Sequence, residues 1–154
     1  MEETELSADD MSQVSLPVST KIHPKGLGEG KTRIVLADDH AVMRHGLAVM
    51  LQEDPNIDII GEASDGETAV DLVRKLKPDV VLMDISMPGM NGIQATRIIH
   101  SEFPEISVIG LSMFQEGEQA AAMLDAGAVN YLAKTGPPDG VLAAIRDCAH
   151  ARRV

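Results

Sequence analysis

Short apolar runs alternate with helical patterns along most of the chain, and this alternation limits the possible folds more than any other feature. Most of the runs are rich in Val and Ile and too short for helices, which is typical of strands. We predict strands at residues 34–37, 57–63, 80–83, 107–111 and 129–133. Such nearly continuous apolar strands are typical of a parallel sheet covered by helices on both faces.

The segments between these runs have the apolar spacing of amphipathic helices. We predict helices at residues 41–53, 66–76, 91–103, 116–126 and 137–152. Pro78 and Pro104 end two of them, because proline cannot continue a helix. Five strand–helix units with right-handed crossovers give an α/β domain with parallel strands, which we assign to residues 33–152.

Residues 1–32 differ from the rest of the chain. Five of the first ten are acidic, and the segment continues with Ser, Pro and Gly without sustained periodicity. We predict a flexible tail or linker there.

Composition excludes several classes of function. The formal net charge is −11 and only 2% of the residues are aromatic, so we expect this chain itself to bind no nucleic acid. The single cysteine excludes an intrachain disulfide. Because no apolar run could span a membrane and the first residues lack a signal-peptide pattern, we expect a cytoplasmic protein that does not bind membranes.

Four of the five predicted strands are followed by a carboxylate, a hydroxyl or an ammonium that we expect at one edge of the sheet, whereas Ser64 and Asp65, after the second strand, are expected to lie off to one side. The first strand is followed by Asp38 and Asp39, the third by Asp84, the fourth by Ser112 and the fifth by Lys134. In an open parallel sheet, ligands bind at the carboxyl ends of the strands. We therefore expect these side chains to share one edge of the sheet.

Three carboxylates at one edge repel each other unless a cation neutralises them. Oxygen ligands without cysteine select a hard ion, and Mg²⁺ is the usual choice where phosphate is also bound. Imidazole does not suit Mg²⁺, so His40 is predicted at the surface or as a helix cap. Glu62 is predicted to be an ordinary loop charge. A carboxylate beside Mg²⁺ can attack phosphorus and form an aspartyl-phosphate, with Lys134 and Ser112 available for the phosphoryl oxygens.

Four segments resemble the signature segments of response-regulator receiver domains. They are residues 36–40 (LADDH), 81–92 (VLMDISMPGMNG), 111–112 (LS) and 131–134 (YLAK). The wording of 38–40 (DDH), 44–47 (RHGL) and 111–113 (LSM) is similar to the NarL/FixJ/LuxR-like branch of that family. The resemblance implies a flavodoxin-like (βα)5 fold with strand order 2-1-3-4-5.

The resemblance also implies a role for each matching residue. Asp84 corresponds to the phosphoacceptor and a metal ligand, and Asp39 to the direct metal ligand. Asp38 would hold the metal through a water, and the backbone carbonyl of Ser86 would be the third protein ligand. Lys134 and Ser112 correspond to the phosphate-binding residues, and Ser112 and Tyr131 to the switch residues.

The implied function is a two-component phosphorelay switch and not a turnover enzyme. A sensor histidine kinase or a histidine phosphotransfer domain would supply the phosphoryl group from a phosphohistidine, with Mg²⁺ as cofactor. Ser112, Lys134 and the loop 112–116 would then move towards the phosphoryl group, and Tyr131 would repack inward. Homodimerisation on phosphorylation and an output in transcription are further expectations, although no DNA-binding domain follows in this sequence.

One position departs from the family pattern, and two alternative functions stay open. Proline often follows the conserved lysine through a cis bond, whereas Thr135 follows Lys134 here, so the sequence leaves the isomer undecided. A small Mg²⁺-dependent aspartyl-phosphate phosphatase is the first alternative, but such enzymes usually carry a second Asp where this chain has Ser86. A flavodoxin-like module for FMN or a nucleotide is the second, but the first strand–helix loop lacks a glycine-rich phosphate cradle.

Overall fold

The computed structural model describes residues 30–113 and 117–153, which form five strands and five helices in strict alternation. The strands are β1 (Thr32–Ala37), β2 (Ile57–Ala63), β3 (Val80–Asp84), β4 (Ser107–Ser112) and β5 (Asn130–Ala133). The helices are α1 (Ala41–Gln52), α2 (Gly66–Leu76), α3 (Gly92–Glu102), α4 (Gly117–Ala126) and α5 (Pro138–Arg153).

All five strands are parallel and lie in the order β2-β1-β3-β4-β5. The predicted fold class and strand order are therefore confirmed. Both edge strands are less buried than the three central ones, as expected where only one neighbour is present. The reversal of strand order lies between β1 and β3, which is where an open α/β sheet binds its ligands.

Alternating side chains of the central strands enter two separate hydrophobic cores. On β1, Val35 and Ala37 pack in one core, while Ile34 and Leu36 pack in the other. The first core is covered by α2, α3 and α4, and the second by α1 and α5. Because β1, β3 and β4 are buried on both faces, their sequences are almost uninterruptedly apolar.

β2 and α2 have the predicted ends, and the ends of the other elements differ from the predictions by at most two residues. β1 begins two residues earlier than predicted, since the Thr32 N–H bonds to the carbonyl of Asn56 beside β2. α3 begins one residue later, because Asn91 is its N-cap and forms a capping box with Gln94. Only the last three residues of the predicted tail, 30–32, belong to the described part of the chain.

The amino-terminal edge of the sheet contains a buried carboxylate with a structural partner. Asp79 precedes β3 and is only 6% exposed. Its Oδ2 accepts a hydrogen bond of 2.9 Å from the backbone N–H of Arg33 on β1. The Arg33 guanidinium donates to the carbonyls of Leu76 and Lys77, so it caps the end of α2.

Each helix described is too short or too polar to traverse a bilayer.

Candidate functional site

The carboxyl-terminal edge of the sheet brings together the charged residues that the sequence placed at strand ends. Asp38 and Asp39 follow β1, Asp84 is the last residue of β3, and Lys134 follows β5. β1 and β3 are neighbours at the centre of the sheet, so their terminal carboxylates lie close together. The parallel register therefore produces this cluster directly.

Lys134 lies between two buried carboxylates. Its Nζ is 2.9 Å from Asp38 Oδ2 and 3.1 Å from Asp84 Oδ2. None of the three side chains is more than 4% exposed. Within residues 30–113 and 117–153, neither of these two carboxylate oxygens has a donor aligned for a hydrogen bond, so each contacts the ammonium as an ion pair. One ammonium faces two carboxylates, which leaves the cluster with excess negative charge.

This environment changes the acidity of Asp84. Burial raises the pKa of the Asp84 carboxyl from 3.8 to about 6. The ammonium of Lys134 opposes this rise, whereas the negative charge of Asp38 adds to it. A weak hydrogen bond from the Ser86 N–H to Asp84 Oδ1, at 3.3 Å, also lowers the pKa. Any cation that replaced the lost solvation would favour the ionised carboxylate.

Four residues present atoms that could hold a metal ion. One ligand atom from each of Asp38, Asp39, His40 and Asp84 lies within 4.8 Å of the others. Their three carboxylates form the oxygen-rich donor set of a hard divalent cation, and the buried oxygens of Asp38 and Asp84 have unused acceptor capacity. These carboxylates fit Mg²⁺, which prefers oxygen and rarely takes imidazole.

His40 lies at the surface beside the cluster, as predicted, but it is not a side-chain cap. It occupies the N-cap position of α1, but its side chain makes no capping hydrogen bond. Its Nδ1 is 3.2 Å from Asp39 Oδ1, while 63% of the side chain is exposed. The imidazole thus borders the carboxylates from the solvent side.

Ser112 lies on β4, the strand next to β3, and Tyr131 lies on β5, one strand further from β3. Ser112 is buried at the end of β4, and its carbonyl accepts a 2.7 Å hydrogen bond from the Lys134 N–H. Tyr131 is half-buried on β5 and packs against the first core. A Cβ on Gly110 would lie 3.0 Å from the Tyr131 ring, so the absence of a side chain there makes room for the ring. The neighbouring residues 114–116 lie outside the described residues.

The loop after Asp84 is held against the strand by a glycine. Gly92 begins α3, and its N–H donates a 2.9 Å hydrogen bond to the carbonyl of Ile85. A Cβ at this position would lie 2.1 Å from the Asp84 carbonyl oxygen. Only glycine permits this close approach, which fixes the turn that contains Ser86. No peptide bond among the described residues is cis, so the bond between Lys134 and Thr135 is trans.

The sequence did not reveal a second layer of contacts behind the carboxylates. Arg44 on α1 donates from Nη1 to the carbonyl of Asp38 at 2.5 Å, and from Nε to Glu62 Oε1 at 3.0 Å. The prediction of Glu62 as an ordinary loop charge was wrong, because Glu62 lies within β2 and forms an ion pair with Arg44. The RHGL pattern at 44–47 was the available signal, but it did not specify a partner.

Comparisons with known proteins agree with this geometry. The family model described as "Response regulator receiver domain" matches residues 34–146. The transcriptional regulatory protein LiaR of Bacillus subtilis is 44% identical over 114 residues, which cover 74% of this chain and 54% of LiaR. The chain spans about half the length of the curated relatives it matches.

Two solved receiver structures have the same fold. The NarL receiver domain of Mycobacterium tuberculosis superposes with a TM-score of 0.75 at 33% identity, covering 79% of this chain and 98% of that one. The isolated receiver of RcsB from Salmonella enterica, solved with the phosphomimetic BeF₃⁻, gives a TM-score of 0.69 at 28% identity. That alignment covers 77% of this chain and 90% of the RcsB chain.

These relatives confirm the predicted NarL/LuxR-like branch. Receiver domains of this kind use Mg²⁺ at an acidic pocket, and the present chain has such a cluster of aspartates. The chain belongs to the response-regulator receiver domain family of two-component systems.

Proposed function

We propose that this receiver domain accepts a phosphoryl group on Asp84. The donor is a phosphohistidine on a sensor histidine kinase or a histidine phosphotransfer domain, and the exchange takes place in the cytoplasm. One observation carries this proposal: a buried carboxylate lies 3.1 Å from a buried ammonium, beside further carboxylates at the binding edge of the sheet.

We assign the cation-holding role to Asp39 and Asp84 directly, to the Ser86 carbonyl, and to Asp38 through a water. When bound, Mg²⁺ neutralises the charge that the carboxylates and the phosphoryl oxygens bring together. The excess negative charge around Lys134 supports this assignment, because one ammonium cannot balance all three aspartates.

The transfer step needs little covalent assistance from the protein. A carboxylate oxygen of Asp84 forms a bond to phosphorus while the bond from phosphorus to the donor imidazole nitrogen breaks. The nitrogen keeps the electron pair of that bond, and the product is an acyl phosphate. Lys134 already contacts Asp84 Oδ2, so its ammonium is placed to pair with a phosphoryl oxygen. Asp38 holds the ammonium from the other side at 2.9 Å.

The phosphoryl group then shifts a two-state equilibrium. It adds about −1.5 to −2 units of charge at pH 7, which recruits the Ser112 hydroxyl and the Lys134 ammonium. Tyr131 completes the switch by packing further into the space over Gly110. The surface formed by α4, β5 and α5 changes as a result, and it presents the signal to an output or to a second copy of the domain.

Hydrolysis resets the switch. Water attacks phosphorus, the bond from phosphorus to the Asp84 oxygen breaks, and inorganic phosphate and the carboxylate are released. The domain assists its own phosphorylation and dephosphorylation but is not a turnover enzyme. Because relatives such as LiaR have names that describe transcriptional regulation, we propose that this domain controls a transcriptional output.

The test is phosphorylation of the full chain with a small acyl-phosphate donor and Mg²⁺, followed by intact-mass measurement. We expect one base-labile phosphoryl group on the wild type and none on Asp84→Asn. Asp79→Asn is the matched control, because Asp79 is equally buried but lies at the other end of β3. Labelling of Asp84→Asn at the wild-type level, or sustained release of phosphate from a monoester, would contradict the proposal.

A further inference from the structure

Arg44 connects the start of α1 to the turn that contains the two adjacent aspartates. Its Nη1 donates to the carbonyl oxygen of Asp38 at 2.5 Å, and 20% of its side chain is exposed. This carbonyl belongs to the peptide group that joins Asp38 to Asp39. The hydrogen bond therefore sets the orientation of the peptide that determines how the two carboxylates are arranged.

The other polar groups of Asp38 already have fixed contacts. Its N–H donates to the carbonyl of Ala63 at 3.0 Å, and its Oδ1 accepts from the His40 N–H at 2.9 Å. Its Oδ2 faces Lys134. Arg44 supplies the contact to the carbonyl, which is the remaining polar group of this residue. The side chain of Asp39 is 31% exposed and depends on this turn for its position.

Glu62 holds Arg44 in place and balances its charge. Glu62 lies on β2, directly beside Leu36 in the register of β1 and β2, and its Oε1 is 3.0 Å from Arg44 Nε. An unbalanced guanidinium this close to the acidic cluster would repel a divalent cation. By charge alone, removal of Arg44 would strengthen cation binding. By position, its removal would weaken binding, so the two effects have opposite signs.

We propose that Arg44, held by Glu62, is a positioning residue that orients the peptide between Asp38 and Asp39 for a divalent cation. This inference rests on the proposed Mg²⁺ site. Arg44 itself touches neither the cation nor the phosphoryl group. It acts through the backbone of the residue that leads into the proposed direct ligand.

The first experiment is a calorimetric titration of the full chain with Mg²⁺. We expect Arg44→Met to weaken Mg²⁺ binding about tenfold, which is the low end for the loss of a contact behind a metal ligand. Arg44→Lys keeps the charge but offers a single ammonium in place of the planar fork, so it should also weaken binding. Glu62→Gln should give a smaller loss, because the amide oxygen can still accept the hydrogen bond from Arg44 Nε, while the guanidinium loses its balancing charge.

Arg74→Met is the matched control for the loss of an arginine–glutamate pair. Arg74 lies near the end of α2, at the opposite edge of the sheet, and donates to both carboxylate oxygens of Glu102. We expect this variant to bind Mg²⁺ within about twofold of the wild type, since the pair contacts no residue of the acidic cluster.

A second measurement requires no metal. In the presence of EDTA, we expect the N–H groups of Asp38 and His40 to exchange with solvent faster in Arg44→Met and Arg44→Lys than in the wild type. The amides of β4 should be unchanged, which separates a local loosening of the turn from a general loss of stability.

Wild-type or tighter Mg²⁺ binding by Arg44→Met, or unchanged exchange of the Asp38 and His40 amides, would overturn the proposal. Failure of the proposed function would give a different result. The wild type itself would then bind no Mg²⁺, or Asp84 would gain no phosphoryl group, while the Asp38 and His40 amides still exchanged faster in the Arg44 variants.

Discussion

Two buried aspartates at opposite ends of β3 show how one strand can use the same side chain in different ways. Asp79, before the strand, has its Oδ2 in a 2.9 Å hydrogen bond from a neighbouring backbone N–H. Asp84, at the end of the strand, has its Oδ2 beside Lys134 without an aligned hydrogen bond. The two residues are 6% and 2% exposed, so burial alone does not distinguish them.

The two carboxylates differ in the partner that compensates for their burial. The hydrogen bond to Asp79 compensates for burial, and the residue joins β1 to β3. The contacts of Asp84 compensate only in part for the loss of solvent, so burial raises the pKa of its carboxyl. A structural carboxylate has its partner within the fold, whereas a carboxylate that awaits a ligand has acceptor capacity left over. Four predictions test this contrast, in order of decreasing effect.

Removal of Lys134 should have the largest effect on the Asp84 end. Lys134→Met leaves two buried carboxylates without their ammonium, so we expect the free energy of unfolding in EDTA at pH 7 to fall by about 3–5 kcal/mol. Mg²⁺ should restore part of this loss. Lys75→Met, at an exposed position of α2, is the control and should change stability by less than about 0.5 kcal/mol. Urea unfolding measures the stability of both variants. Equal losses for Lys134→Met and Lys75→Met would show that Lys134 has no special role in stability.

Mg²⁺ should stabilise the protein through one end of β3 only. At a cation concentration one hundred times the dissociation constant, the free energy of unfolding should rise by about 2.7 kcal/mol. We expect Asp79→Ala to keep this increment and Asp84→Ala to lose most of it. Thermal unfolding with and without Mg²⁺ gives the comparison, and an increment retained by Asp84→Ala would place the cation elsewhere.

Without metal, the two alanine variants should differ in stability. Asp79→Ala deprives the Arg33 N–H of its acceptor and should lower the free energy of unfolding by about 2 kcal/mol. Asp84→Ala removes a carboxylate that is costly to bury and should stay near the wild-type stability or exceed it. Urea unfolding in EDTA at pH 7 checks the order, and a larger loss for Asp84→Ala would reverse the contrast.

The smallest expected effect is a dependence of stability on pH. The pKa of Asp84 is about 6 in the folded state, above its ordinary value of 3.8, so the folded state binds more protons between these values. The contribution of Asp84 to stability is therefore present at low pH and is lost as pH rises through 6. In EDTA, the wild type should lose about 1 kcal/mol relative to Asp84→Asn between pH 5 and pH 6.5. Parallel pH profiles for the two proteins would exclude the raised pKa.

Much of the fold and the position of the charged cluster could be predicted from the sequence. The uninterrupted apolar strands required helices on both faces, and parallel strands bring Asp38, Asp84 and Lys134 to one edge. That step depends only on where each strand ends, which local patterns reveal well. The roles of Ser86 and Tyr131 and the switch role of Ser112 came from the family resemblance, and they stay predictions.

The contacts of Arg44 and Glu62 could not be predicted in the same way. A side chain that bonds to a backbone carbonyl leaves no periodic pattern, and its partner depends on how closely α1 approaches the turn after β1. The closeness of Gly92 to the Asp84 carbonyl is equally hidden, since it results from the packing of a helix start against a strand end. These features appear only when side chains are placed in three dimensions.

The hydrogen bond from the Lys134 N–H to the Ser112 carbonyl has a mechanical consequence. It ties the ends of β4 and β5 together at the point where both would meet an incoming anion. If Lys134 were drawn towards that anion, its peptide would pull on the neighbouring strand through this hydrogen bond, and the two strand ends would move together. A charge added at the end of β3 would thereby change the position of the end of β5, two strands away.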